Sequence, residues 1–490
     1  MTVRRWFVSC AAVAVLIAPG FDPSDSRSES PTIIKEWGAR SANRFKPYIE
    51  GNKSALVGTP SCSARGCHGA VVPVESRPLP NCLDNIDPAS LPVVRQNEFS
   101  LWLARDKHAQ AYQVLDGELG RRILKNLYGE EKAKWDESAC LACHTNPLAA
   151  SSGHSTLLKQ EQRSGVGCES CHGKGKKWLD AHTKPEWMCN SAEKKREYGM
   201  KTVGDPVALA QTCVGCHVGA AAADGVPVRD MNHDMIAAGH PRLNFELGAF
   251  LANMPPHWDE KEQAKHRNAG FEARVWAVGQ VVTAQAALDL LADRARNMNR
   301  PWPEFSEYNC YACHHDLTTP SWRQSRGYGD RKAGSLPWGT WYSVMPRWLA
   351  DRPAFSDAKD QSIAKGFDDL EKAMAAPLKD RNQLPAEAEV LAIRLAPLLA
   401  KTSQTKLSQN EIQLLLSSLA EKKPSDSAPD WDAAEQLYLA AAALSQDQGA
   451  ERSQEKLSGL VKMLAQPRAY RPEEFLKVFH PSLKDLVEKH

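Results

Sequence analysis

Four stretches of this sequence set two cysteines three positions apart and follow the second directly with a histidine. They are Cys140, Cys143 and His144; Cys168, Cys171 and His172; Cys213, Cys216 and His217; and Cys310, Cys313 and His314. Two thiols about one helical turn apart can each form a thioether to a porphyrin edge. The next residue then turns its imidazole toward the iron, which is the attachment pattern of c-type haem. The composition predicts about 0.01 such matches by chance, so four are no accident. Zinc ribbons need paired cysteines without an invariable histidine, and that reading is set aside. A fifth stretch, Cys62, Cys67 and His68, has four residues between its cysteines. A longer loop can bulge outward while both sulfurs still reach the ring, with Gly66 easing the bend. The alternative there is a Cys62–Cys67 disulfide beside an incidental histidine; haem is favoured. The expected cofactor is therefore five haem c groups, or four if Cys62 and Cys67 do not form a site, with His68, His144, His172, His217 and His314 as proximal ligands.

The third of these sites sits in a recognisable setting. The run Gly165-Val166-Gly167-Cys168-Glu169-Ser170-Cys171-His172-Gly173, followed by His182, resembles the third haem site of the tetrahaem cytochrome c-554 family. Trp102 and the segment from His108 to Ala111, lying between the first and second motifs, resemble that family's corresponding segment, and the order of the sites also agrees. The resemblance covers about residues 58–245, less than half of the chain. It implies electron transfer of the kind that serves hydroxylamine oxidation in ammonia oxidisers, with His108 and His182 as distal ligands. It also implies a five-coordinate second haem, which makes the haem at His144 the candidate open and chemically active iron. The longer first loop, the site at Cys310 and a long C-terminal region depart from the family pattern and leave the redox partners undetermined.

Of the fifteen histidines, five are proximal and ten remain. Besides His108 and His182, the pair His233 and His240 is a candidate for distal ligation. Seven residues is about two helical turns, so both rings can share a face. His315 follows a proximal ligand and is expected to point elsewhere. His154, His257 and His266 sit in polar stretches and are read as ordinary side chains, and His480 and His490 lie in the tail. After His144 the chain passes into a Ser- and Gly-rich stretch, a loop that either leaves the iron open or delivers His154 to it.

These sites need elements to hold them. Phe271, Val275, Val278 and Val282 recur at helical spacing between the fourth and fifth motifs and predict a helix with one apolar face. Trp338, Trp341 and Trp348 after the fifth motif read as core. From about residue 355 the chain is rich in Ala, Leu, Lys and Glu and lacks cysteine. Ile412, Leu415, Leu416 and Leu419 form a helical stripe behind a capping box, Ser408 with Glu411. A mostly α fold follows, a multihaem cytochrome c domain with a haem-filled core and long irregular connections plus a haem-free helical module. The expected divisions are a signal peptide over 1–30, the haem domain over 31–330 and the C-terminal module over 331–490. Arg4, Arg5 and the short apolar run from Phe7 to Ala18 predict export to a periplasm and a mature protein without a membrane span. Once Cys10 leaves with the signal, Cys82 and Cys189 remain for a disulfide, with two unpaired thiols as the alternative. A net charge of +2 gives no sign of nucleic acid. The expected partners are redox proteins, with oligomers open to the C-terminal module. The leading function is electron transfer along closely packed haems; the alternative is an oxidoreductase acting on a small nitrogen or sulfur compound at one open haem.

Overall fold

The structure, a computed structural model, describes residues 56–74, 94–129, 139–150, 156–223, 226–259, 270–315, 318, 332, 334–356, 361–376, 378, 381–420, 429–446 and 450–487. The expected signal peptide, Cys10, Cys82, His154, His266 and His490 lie outside them. Among the described residues thirteen helices have seven residues or more: α1 (Glu98–Arg105), α2 (Glu118–Tyr128), α3 (Thr156–Arg163), α4 (Pro206–His217), α5 (Leu247–Asn253), α6 (Phe271–Arg296), α7 (Val344–Ala350), α8 (Gln361–Met374), α9 (Leu384–Gln404), α10 (Gln409–Ala420), α11 (Trp431–Ser445), α12 (Ala450–Leu464) and α13 (Pro472–Val487). The described β structure is one antiparallel two-stranded ribbon, Gly219–Ala220 with Arg229–Asp230, plus two isolated bridges. The fold is mostly α, as the sequence implied.

Helix α6 organises the molecule. Its Ala, Val and Leu content favours helix, and Arg294 and Arg296 in the last turn oppose the negative end of the helix dipole. The single apolar face expected of it is an underestimate. Trp276, Ala277, Val278, Val281, Val282 and Ala284 are all fully buried, because α4 and α5 pack on one side while α9 and α11 pack on another. Gly279 permits the α5 contact, since a Cβ there would come within 2.6 Å of Leu247 Cβ. Polar side chains inside this packing are satisfied. Gln280 Nε2 donates to Gln436 Oε1 of α11 at 3.0 Å, and Gln285 Nε2 donates to the Ala392 carbonyl of α9 at 3.0 Å.

The C-terminal helices form the main apolar core, which continues through Trp341 and Trp348 into α6. Burial of this kind stabilises by about 25 cal/mol per Å² of apolar surface. The predicted capping box is present. Ser408 N–H donates to Glu411 Oε2 at 2.7 Å, and Glu411 N–H donates to Ser408 Oγ at 3.3 Å. The cysteine-rich first part of the chain is built differently. Its described apolar cluster comprises only Leu56, Ala149 and Leu158 as buried members, so other contacts must hold the attachment motifs.

Candidate functional site

Each motif occupies a short helical turn or the end of a helix. The second lies at Leu141–His144, the third at Cys168–His172, the fourth at the end of α4, and the fifth at Cys310–Cys313. The first follows a 3-10 turn at Thr59–Cys62. Local capping fixes two of these turns. Asp205 accepts from the Val207 and Ala208 N–H groups, and Asn309 accepts from the Tyr311 N–H. Two buried glutamates join the first motif to its neighbours. Glu169, lying between Cys168 and Cys171, accepts from Gly58 N at 2.8 Å and Gly175 N at 2.6 Å. Glu161 accepts from Thr59 N at 2.6 Å and Asn146 Nδ2 at 3.1 Å.

Every motif histidine faces one histidine from elsewhere in the chain. The ring centroids of His68 and His182 are 6.2 Å apart, and those of His144 and His240 are 6.3 Å apart. His172 and His257 are separated by 6.2 Å, His217 and His108 by 6.0 Å, and His314 and His233 by 6.3 Å. These separations are meaningful. A metal–imidazole nitrogen bond is about 2.0–2.1 Å, and each ring nitrogen lies about 1.1 Å from the centroid of a ring with bonds near 1.33 Å. Two imidazoles on opposite sides of one metal ion therefore have centroids about 6.2–6.4 Å apart. The five gaps fit one iron each.

The remaining ring nitrogens agree with this arrangement. Nδ1 of His68 bonds to Glu98 at 2.8 Å and Nδ1 of His108 to Asp106 at 2.9 Å. Those of His144, His182 and His240 bond to the carbonyls of Ala111, Leu179 and Pro241. Donation from Nδ1 leaves the Nε2 lone pair free for a metal. Burial holds His172 and His217 down to about 4 and lowers His144, His182, His240 and His257, so these rings are neutral, the form that ligates. Burial also opposes charge on His108, but the Asp106 carboxylate outweighs it and raises the ring, while the hydrogen bond to Glu98 raises His68.

The fifth pair is braced from beneath. Buried Arg294 bridges Asp230 and Glu307, meeting Glu307 at 2.6 Å, and Arg300 reaches Asp230 at 3.2 Å. Asp230 lies three residues before His233, and Glu307 lies three before Cys310, so one guanidinium positions both sides of this site. Glu304 adds an acceptor for the His233 N–H at 2.8 Å. A partly open cleft lined by Met231, Ile236, Ser306, Glu307, Trp338 and Tyr342, among others, lies beside these segments. Buried donors without a described hydrogen-bond partner, Trp178 Nε1 beside His182 and Arg229 Nε near Cys216, suit the carboxylates at a haem edge. Among the described residues no three His, Cys, Asp or Glu side chains gather as a zinc site requires.

All four candidate distal histidines, His108, His182, His233 and His240, thus stand opposite a motif histidine. Two expectations are corrected. The position facing His144 is not open, because a turn through Gly239 (φ 118°) brings His240 onto it. His257, read from sequence as an ordinary polar-stretch histidine, faces His172. Glu98, Asp106, Glu161 and Glu169 also escaped the sequence reading. Their partners lie across the fold, except for the Asp106–His108 spacing, which resembles a helix cap. Cys189 is disulfide-bonded.

Residues 95–173 match the family model described as cytochrome c554 and c-prime. This is a c-554-like cytochrome segment. Over 119 residues the chain is 25% identical to "Cytochrome c-554" of Nitrosomonas europaea, an alignment covering 23% of this chain and 48% of that protein. The chain therefore spans about half the length of that curated relative. No solved structure matches the chain. The c-554-like segment carries Glu98, His108 and the second and third motifs.

Proposed function

We propose that the protein is a five-haem periplasmic electron carrier whose irons are all held between two histidines. The observation that carries this reading is the set of five histidine pairs at 6.0–6.3 Å, each joining one motif histidine to one histidine outside the motifs. Haem c would supply a one-electron ferric–ferrous couple at each position. The chain's own residues favour the neutral form of six of the axial rings and fix the tautomers of five through Nδ1. The sparse apolar cluster around the first motifs is consistent with cofactor filling the space that side chains would otherwise occupy.

The motifs are also near enough to form one path. Cys62 lies beside Cys168, and Cys143 lies beside Cys216. Helix α4 packs on the turn Cys168–His172, bringing the third and fourth sites together. His240, facing the second site, is seven residues from His233, facing the fifth, and Arg242 lies near Cys310. These contacts give the order first, third, fourth, second, fifth. A disulfide at Cys189 suits an oxidising compartment. Redox proteins at either end of this path, in the respiration of nitrogen compounds, are the partners that the family resemblance favours.

The test is the intact mass of the native protein, expected to exceed that of the processed polypeptide by five haem units. Fewer units, or cysteines of any motif open to alkylation after reduction, would sink the five-haem reading.

A further inference from the structure

The Nδ1 partners of the axial histidines fall into distinct chemical classes. Those of His144, His182 and His240 are neutral backbone carbonyls, at 2.7, 2.5 and 2.9 Å. Nδ1 of His257 is buried without a hydrogen-bond partner among the described residues. Among the described residues only His68 and His108 bond to carboxylates, Glu98 at 2.8 Å and Asp106 at 2.9 Å. Both carboxylates are held by the backbone as well, Glu98 by the Arg95 N–H and Asp106 by the His108 N–H. Both are shielded from solvent, the Glu98 side chain being 14% and the Asp106 side chain 6% exposed. Each carboxylate is thus fixed by a backbone N–H on one side and an imidazole on the other in a weakly screened setting.

An anionic acceptor pulls on the Nδ1 proton, so the ring donates more strongly to a metal on its other nitrogen. Its fixed negative charge in a weakly screened setting also favours the more positive oxidation state. Both effects stabilise ferric over ferrous iron and act on one electron, with no proton gained or lost by the pair. A backbone carbonyl provides only a dipole.

Building on the proposed five-haem reading, we propose that Glu98 and Asp106 are redox-tuning residues that hold the first and fourth haems at lower reduction potential than a neutral acceptor would. The two charges belong to alternate positions along the contact order. The third site, between them, has one distal ring with no acceptor and carries no such charge, so it is the more favourable resting place for an electron in that half of the path.

The test uses the native holoprotein with Glu98→Gln and Asp106→Asn. Asp106 takes both His108 bonds through Oδ1, so Asn keeps that acceptor and removes the charge; Gln at position 98 keeps an oxygen for Nδ1 but loses the acceptor of the Arg95 N–H as well as the charge. Glu193→Gln, on an exposed helix where Glu193 pairs with Arg196, is the control. In a spectroelectrochemical titration each of the first two variants should move one haem to more positive potential and leave the others in place. The low-spin spectrum should be unchanged, and the control should match wild type. Unchanged potentials in both variants with low-spin haem retained would overturn the tuning role. A variant that turns high-spin would also overturn it, making the carboxylate a support that merely positions the ring. If wild type contains fewer than five haems, or one already high-spin, the five-haem reading fails instead. Any carboxylate-dependent shift would then be judged separately on the haems present.

Discussion

The second site gives the sharpest opposition between resemblance and geometry. The family pattern implies an open iron at His144, whereas His240 stands opposite it at a centroid separation of 6.3 Å. An iron placed between the two rings lies about 3.2 Å from each centroid, which leaves no sixth position for a small molecule. Replacing His240 by Ala removes one imidazole and opens a space large enough for cyanide, carbon monoxide or nitric oxide. His240 is only partly buried, and its Nδ1 bonds to the neighbouring Pro241 carbonyl in an exposed segment, so entry does not require the core to open. One of five irons should change, so one fifth of the total haem becomes high-spin in electron paramagnetic resonance of the oxidised protein. The variant should bind one equivalent of cyanide or carbon monoxide rapidly, where wild type binds none. Wild-type protein that already shows a high-spin ferric signal abolished by cyanide would refute the reasoning. So would a fully low-spin His240→Ala protein, for then another group ligates that iron.

Three further outcomes follow from other parts of the fold. Ring planes at 82°, 86° and 82° in the pairs with His217, His144 and His172, but at 14° and 26° in those with His68 and His314, should give two classes of low-spin ferric signal in a three-to-two ratio. Crossed planes keep two iron d orbitals nearly degenerate and near-parallel planes split them, so a single class in the spectrum would contradict the angles. Arg294→Met leaves buried Glu307 without its cation and Asp230 with Arg300 alone. It should destabilise by about 3–5 kcal/mol in urea unfolding and reduce haem loading specifically at Cys310 and Cys313; full occupancy and stability would count against the brace. Ser408→Ala removes one half of an exposed capping box and should cost about 1 kcal/mol in the same unfolding assay, with every haem band unchanged.

The attachment motifs were legible because their chemistry is local: thiol, thiol and imidazole must fall within one turn whatever the rest of the chain does. The capping box at Ser408 was legible for the same reason. Distal ligands obey no such rule. His257 is 85 positions from His172, in a polar stretch after Pro255 and Pro256, and only the folded path from α5 brings it across. At the second site the sequence left an open iron and an arm at His154 as alternatives, and named His240 only as a candidate for some neighbouring iron. The turn that carries His240 opposite His144 lies 96 positions further along the chain, so local spacing could not assign it. Carboxylate partners such as Glu98 were hidden for a related reason, since an acid in the first turn of a helix is already accounted for by the helix dipole.

The division between haem region and C-terminal module was likewise drawn from composition, the loss of cysteine and the rise of Ala and Leu. Packing joins the two. Arg242, two residues past His240, forms a bidentate pair with buried Asp432 of α11 at 2.8 Å through both guanidinium nitrogens, and Tyr311 inside the fifth motif packs edge-on against Trp431. Arg242 is largely buried, its side chain 20% exposed; burial opposes its charge and the Asp432 carboxylate favours it. A cost of that size is tolerated only where geometry is held on both sides. Both sides here are the segment carrying His233 and His240 and the turn carrying Cys310 and His314. The helical module therefore packs as a wall against the segment carrying His233 and His240 and the turn carrying Cys310 and His314. Under the five-haem proposal a site so far from the c-554-like segment needs a core of its own, and α6 with the helices behind it supplies that core.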